Sequence, residues 1–228
     1  MLHARFDLHL HTEFSPDCDT ALNRIEPHCL KRGLTGIAVT DHDCIEGALR
    51  LRDRVHTLQV IVAQEVTTHD GDVIGLFLER LVKPRTSAQE AMEAIHAQGG
   101  LVYLPHPFDK RHARRSGGAS LTALMAHVDI IETFNGKVGH DSYNVMAAEF
   151  ALRHNKVCGG GSDAHSLGAI GSVVNEIELR QPLTPAAFLH AMAAVRISGT
   201  RRSKFDTLLA IGRRPFSLAL RRLGSDGP

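Results

Sequence analysis

The chain reads as an α/β protein, a single-domain distorted (β/α)7-type, TIM-like barrel, and three observations predict it. Short apolar runs alternate with longer stretches of helical spacing. The alternation recurs about seven times within 228 residues, a density that fits a closed barrel better than an open doubly wound sheet. Five strand ends each supply a His, Asp or Glu of metal-ligand type, at the end where barrel enzymes assemble their sites.

Taken in order, strands are expected at Arg5–Leu10, Gly36–Thr40, Gln59–Gln64, Val73–Leu78, Leu101–Leu104, Asp129–Phe134, Lys156–Gly159 and Val173–Leu179. The last alternates Val173, Asn175, Ile177 and Leu179 less cleanly than the others. Between them, helical spacing links Leu22, Ile25, Cys29 and Leu30; Ala88, Ala91, Met92 and Ile95; and Val145, Ala148, Ala151 and Leu152. Thr86-Ser87 is a start signal for the second of these, and Thr184-Pro185 opens a helix over Pro185–Val195. Strands separated by helices predict βα units around a parallel sheet.

Composition narrows the class. Hydrophobic residues make up 43% and charged residues 22%, enough for a sizeable core in a soluble domain. A net charge of +1 argues against the whole surface being a nucleic-acid footprint. There is no run of 18 apolar residues, so no transmembrane segment is expected, and His3, Arg5 and Asp7 interrupt any leader-like pattern. Cys18, Cys29, Cys44 and Cys158 lack C-x-x-C spacing, which indicates neither a zinc finger nor a disulfide scaffold and fits a reducing cytoplasm. Histidine is the outlier: 15 residues against 2 Tyr and no Trp.

The barrel domain is expected over residues 1–195, with 196–228 a basic helical extension packed on it. From Arg196 onward eight basic residues face Asp206 and Asp226, leaving +6 there and −5 elsewhere. Phe205, Leu208, Leu209, Ile211, Phe216, Leu218, Leu220 and Leu223 interleave those charges. Such a segment suits phosphate, nucleic acid or a membrane surface, while the plainer reading is a closing helix with a solvated basic face.

The residues suited to chemistry cluster at the strand ends. His9 and His11 lie two apart on a strand and so share a face. Thr40-Asp41-His42-Asp43 follows the apolar run Ile37-Ala38-Val39. Gly159 to Gly161 lead into Ser162-Asp163-Ala164-His165. His106 stands between Pro105 and Pro107 on a stiffened turn, and Glu65 ends the run Val60–Gln64. A carboxylate among imidazoles can hold two cations close together, giving a metal-activated hydroxide and neutralising phosphoryl charge. Mixed His and Asp/Glu donors suit Mn, Fe or Zn rather than Mg alone. His42, Asp43 and His165 are the candidates to protonate a leaving oxygen.

In combination these motifs resemble the PHP family, named for its polymerase and histidinol-phosphatase members, over about Phe6 to Leu179. The resemblance implies two or three divalent ions in a TIM-like barrel. His9, His11, Glu65 and Asp163 would hold the first, and Glu65 would bridge to a second that His106 also holds. Asp17, six residues beyond His11, matches a position that is His or Asp in relatives. With His42 and His165 it would form a third site, or contact substrate phosphate if two ions bind. Two positions depart from the pattern: Ala63 stands where relatives often have Gly, and Asp72 stands where the second ion usually takes a His. An Asp there makes the site harder and richer in oxygen.

For the substrate, Lys110, Arg111, Arg114 and Arg115 follow the H-P motif; Glu132, Asn135 and Lys137 lie at the end of another expected strand and suit contacts behind the metal ligands or with substrate. Arg114, Arg115 and Lys137 are the candidates to bind phosphate. The expected function is hydrolysis of a phosphomonoester of a small metabolite. The alternatives are a phosphodiesterase or exonuclease acting on nucleic acid, and a non-catalytic metal-stabilised binding domain. About 40 residues separate Glu65 from His106, too few for the inserted domain of some relatives that act on 3′,5′-bisphosphonucleosides. Oligomeric state has no signature here.

Overall fold

A computed structural model describes residues 2–110, 121–179 and 182–201. The chain runs β1 (Leu2–Leu10), α1 (Leu22–Lys31), β2 (Gly36–Val39), α2 (Glu46–Arg54), β3 (Gln59–Thr68) and β4 (Gly71–Leu76). It continues through α3 (Ala88–His96), β5 (Leu101–Leu104), α4 (Leu121–Leu124), β6 (Ile130–Asn135) and α5 (Asp141–Arg153). It ends in β7 (Val157–Gly161), β8 (Val173–Leu179), α6 (Pro185–Met192) and β9 (Arg196–Gly199). Among the described residues nine strands join one sheet in the order β7-β6-β5-β4-β3-β2-β1-β8-β9. The sheet curls until Leu10 at the end of β1 bridges Ala164 just beyond β7. The result is a nearly closed, TIM-like barrel.

Successive strand residues feed two cores, as the period of two requires. Ile37, Val39, Val62, Val102 and Ile131 pack against the helices. Their neighbours Ala38, Ile61, Ala63, Tyr103 and Ile130 form the other core with Phe188 and Met192 of α6. Helix starts follow the expected chemistry. Ser87 and Glu90 form a reciprocal capping box on α3, and Thr184 accepts from Ala187 N ahead of α6.

The sheet is mixed where βα units around a parallel sheet were expected. β3 and β4 pair antiparallel, as do β4 and β5. Only His69 and Asp70 separate β3 from β4, a connection that allows a hairpin and not a crossover. β8 also runs antiparallel to β1. The first residues of the expected helical extension differ as well: Arg196–Gly199 form β9, antiparallel to β8. A short segment beside an open sheet edge satisfies its backbone groups by adding a strand. Residues 202–228 of that extension lie outside the described residues.

Two local features aim the strands. In β1, Phe6 and Leu8 belong to the core containing α6, whereas Leu10 belongs to the helix-side core. A bulge between Asp7 and Leu10 makes that switch and turns His9 and His11 toward the barrel axis. At the seam, the buried Asn175 amide joins three strands. Its Oδ1 accepts from Gly160 N (2.8 Å), and its Nδ2 donates to Gly160 O (2.7 Å) and Phe6 O (3.0 Å). Among the described residues no helix is long and apolar enough to cross a membrane.

Candidate metal centre

Glu65 is the centre of the cluster. The bridge between His42 and Glu65 continues the pairing of β2 with β3, and Glu65 lies within β3 rather than at its end. Its Oε2 is 3.3 Å from His9 Nε2, His11 Nε2 and His42 Nδ1. Its Oε1 is 3.0 Å from His106 Nε2. One carboxylate thus touches imidazoles delivered by β1, by the loop after β2 and by the turn after β5. Asp163, beyond β7, closes the ring with Oδ1 3.7 Å from His11 Nε2 and 3.9 Å from His9 Nε2. Near the opening, Asp17 Oδ2 lies 2.8 Å from His165 Nε2 and 3.7 Å from His42 Nε2.

Three of these positions need unusual backbone. Asp43, His106 and Asp163 have φ of 53°, 27° and 50°. For residues other than glycine, such left-handed conformations cost about 1–3 kcal/mol each and persist only where surroundings hold them. His106 is held through its backbone, which donates to Glu132 Oε2 (2.7 Å). Asp163 N donates to His9 O (2.7 Å). Gly161 serves close approach: a Cβ there would stand 2.3 Å from both Glu132 Oε1 and the His9 Cβ.

Buried charges compensate one another. Burial would push His9 down, but Glu132, Asp163 and Glu65 hold it well above its ordinary range. Burial also opposes the charge on Glu65, which His9 and His42 nevertheless hold well below the usual carboxylate range. Asp163 behaves likewise, its burial outweighed by Lys137 and His9. His11 goes the other way: burial, and then the neighbouring His165, push it down. The Asp41 carboxyl rises to about 6 through burial, while Thr12 donates to it from N and Oγ1.

The donors fit divalent ions. Among the described residues three groups have ligand atoms mutually within 4.8 Å: His9, Glu65 and His106; His9, His11 and Asp163; and His11, Asp17, His42 and His165. His11 Nε2 is buried without a hydrogen-bond partner although two carboxylates lie beside it. A depressed imidazole with an unused ring nitrogen among carboxylates suits a cation that takes that lone pair.

Eight of the nine metal-ligand candidates therefore meet in one place. Asp72, the ninth, lies on β4 opposite Thr67 and belongs to none of the three groups. Asp43 is turned aside as well, its Oδ1 accepting from Thr67 N at 2.8 Å. Lys137 reaches the cluster, with Nζ 3.0 Å from Asp163 Oδ1 and 3.2 Å from both ring nitrogens of His165. Lys110 is exposed, and Arg111, Arg114 and Arg115 lie outside the described residues. Two participants carry no motif of their own. Ser15 Oγ lies 3.0 Å from His11 Nδ1 and accepts from His42 N (2.9 Å), and Tyr103 donates to Glu132. Only the scarcity of tyrosine in the chain marks Tyr103 out in the sequence.

A family model described as the PHP domain matches residues 7–157. The chain belongs to the PHP family. A second model, described as PHP-associated, matches residues 141–196. An uncharacterized protein of Methanocaldococcus jannaschii is 29% identical over 199 residues, covering 82% of this PHP chain and 78% of that protein. Among solved structures, a two-domain protein from Bacteroides vulgatus containing a predicted PHP-like metal-dependent phosphoesterase matches 87% of this chain (TM-score 0.73, 17% identity). This chain spans 65% of that one. PsfC from Pseudomonas syringae matches with a TM-score of 0.71 at 15% identity, covering 92% of this chain and 97% of its own. The lesion-specific endonuclease PfuEndoQ from Pyrococcus furiosus matches with a TM-score of 0.63 at 15% identity, covering 94% and 68%. These structural likenesses establish the shared fold.

Proposed function

We propose that this PHP chain is a metal-dependent phosphoesterase that hydrolyses a phosphomonoester of a small metabolite. The observation that carries the reading is the convergence of His9, His11, Asp17, His42, Glu65, His106, Asp163 and His165 around one carboxylate. His9, His11, Glu65 and Asp163 would hold one ion, and Glu65 with His106 a second, the Glu65 carboxylate being common to both. Asp17, His42 and His165 would hold a third ion or face the phosphate directly. Bound Mn, Fe or Zn would supply Lewis acidity toward the phosphoryl oxygens and acidify water near neutral pH.

The chain's own groups do the rest. Lys137 Nζ, beside Asp163 and His165, puts a positive charge where phosphoryl oxygens gather. His42 and His165 are the imidazoles nearest the opening, with side chains 21% and 9% exposed. Either can give a proton to the leaving oxygen, and Asp17 steadies the Nε2 of His165. Asp43 has a positioning role, because its carboxylate pins the loop after β2 to Thr67. Arg114 and Arg115 remain proposed phosphate contacts, and Asp72 a proposed outer donor to the second ion.

A second reading, phosphodiester cleavage in nucleic acid, is favoured by the fold shared with the endonuclease PfuEndoQ. Turnover of p-nitrophenyl phosphate and of bis-p-nitrophenyl phosphate under added Mn²⁺ separates the two. The proposal expects faster monoester hydrolysis that is lost in His9→Ala. Faster hydrolysis of the bis ester moves the diesterase ahead, and no turnover of either overturns both.

A further inference from the structure

We propose that Glu132 is a positioning residue that fixes the tautomer of His9 and ties the donors of three strands into one metal-binding set. This rests on the metal-centre reading above and names the residue that organises it. Glu132 is fully buried, so its oxygens must find partners within the protein. They find four, three of them fixed donors and the fourth a ring nitrogen. Oε1 accepts from Tyr103 O–H (3.2 Å) and lies 3.0 Å from His9 Nδ1. Oε2 accepts from His106 N–H (2.7 Å) and Asn135 Nδ2–H (2.9 Å). An ionised carboxylate has the acceptor positions for all of these and places no hydrogen among them.

The consequence for His9 is specific. A hydrogen on Nδ1 directed at Glu132 makes Nε2 the nitrogen that gives up its proton and offers a lone pair when a cation takes its place. Nε2 is the atom that faces Glu65 Oε2 at 3.3 Å and Asp163 Oδ1 at 3.9 Å. The same carboxylate acts at two more strand ends. Holding His106 N sets the turn whose imidazole meets Glu65 Oε1. Asn135, held by Oε2, also reaches Asp163 Oδ2 at 3.3 Å. The four contacts of Glu132 involve β1, the turn after β5 and, through Asn135, the turn after β7. They do not involve Asp17, His42 or His165. Glu132 therefore governs the inner two donor groups and leaves the outer one to itself.

Glu132→Gln tests this, because it keeps the shape and presents N–H hydrogens to groups that are themselves donors. The full-length chain, stripped with chelator, is titrated calorimetrically with Mn²⁺ as wild type and as Glu132→Gln, with thermal unfolding followed in parallel. The proposal expects inner-site affinity to fall by about 10–100-fold, with the weakest class of sites unchanged. A merely structural role would lower the unfolding midpoint and leave the affinity of the folded chain at the wild-type value, which overturns the proposal. If the variant does not fold, ¹⁵N NMR of the Zn²⁺-loaded wild type decides: His9 must bind through Nε2 with Nδ1 protonated, and ligation through Nδ1 overturns it. Equal Mn²⁺ affinity in the two chains removes the role of Glu132 and leaves the phosphoesterase reading standing. A wild-type chain that binds neither ion removes both.

Discussion

The floor and the rim of the donor cluster use the same residue types under different burial. On the floor, His9, His11 and Glu65 are 0–1% exposed, and His9 and His11 each have a second partner behind the ring, Glu132 or Ser15. At the rim, the side chains of Asp17, His42 and His165 are 34%, 21% and 9% exposed. A buried ionisable group without compensation costs several kcal/mol, so His9 and Glu65 are committed on both sides, while Ser15 holds the His11 ring from behind. Rim groups keep access to water and can exchange one partner for another. On the proposed function, the floor would hold the ions and the rim would handle proton and substrate.

The largest effect is expected at Glu65. Glu65→Ala strands four imidazoles around a missing carboxylate, so inner-site metal binding disappears and phosphoester turnover falls by about 10³-fold or more. Metal content of the purified variant and its initial rates check this; retained metal would dissolve the distinction between floor and rim. Next comes the seam, which supports the floor from outside. Asn175→Leu leaves Gly160 N, Gly160 O and Phe6 O without their amide partner and should cost about 2–4 kcal/mol by urea denaturation. Its folded fraction should bind metal as wild type does. At the rim, Asp17→Asn should lower turnover about tenfold while leaving stability and inner-site metal content unchanged. Metal loss equal to that of Glu65→Ala would place Asp17 on the floor.

The smallest effect isolates burial without any counter-charge. Cys29 is buried and its thiol is pushed up to about 12, by burial first and then by Asp7 and Glu26. A raised pKa means that the folded chain keeps its proton longer than the unfolded chain. Stability from this group is thus complete below pH 9 and declines as pH rises toward 12. Between pH 8 and pH 10 the loss attributable to Cys29 is about 1.4 kcal/mol. Urea denaturation at the two pH values should show a shallower loss in Cys29→Ala by that amount; identical slopes would contradict the assignment.

Much of the fold was legible because period and punctuation agree with it. Leu101–Leu104 and Val173–Leu179 match their strands end for end, and Ser87 and Thr184 cap the helices they precede. Strand direction was not legible. A run such as Val73–Leu78 has the same composition in either direction, and the two-residue link His69-Asp70 only becomes a hairpin once β3 extends to Thr68. The β1 bulge was hidden too, since D-L-H-L-H alternates without interruption and only the packing of Leu10 on the helix side exposes the change of face. Arg196–Gly199 read as the start of a basic helix because its charges resemble those that follow, whereas the open edge of β8 recruits it as a strand.

At the site, eight residues from five separate motifs lie together, and Asp43 shows what spacing cannot convey. It adjoins His42 yet points to a backbone amide of β3, a difference set by its left-handed φ. Glu132 lies inside β6 with no motif around it. Its importance lies in four partners from distant sequence, which no local pattern records.

The most direct measurement is the divalent metal content of the chain purified without chelator, with Glu65→Ala prepared in parallel and both tested for Mn²⁺-dependent p-nitrophenyl phosphate turnover. The account predicts two or three ions per wild-type chain with turnover, and loss of the inner ions and of turnover together in the variant. A wild-type chain that takes up no ion and shows no turnover after reconstitution with Mn²⁺, Fe²⁺ or Zn²⁺ would contradict it.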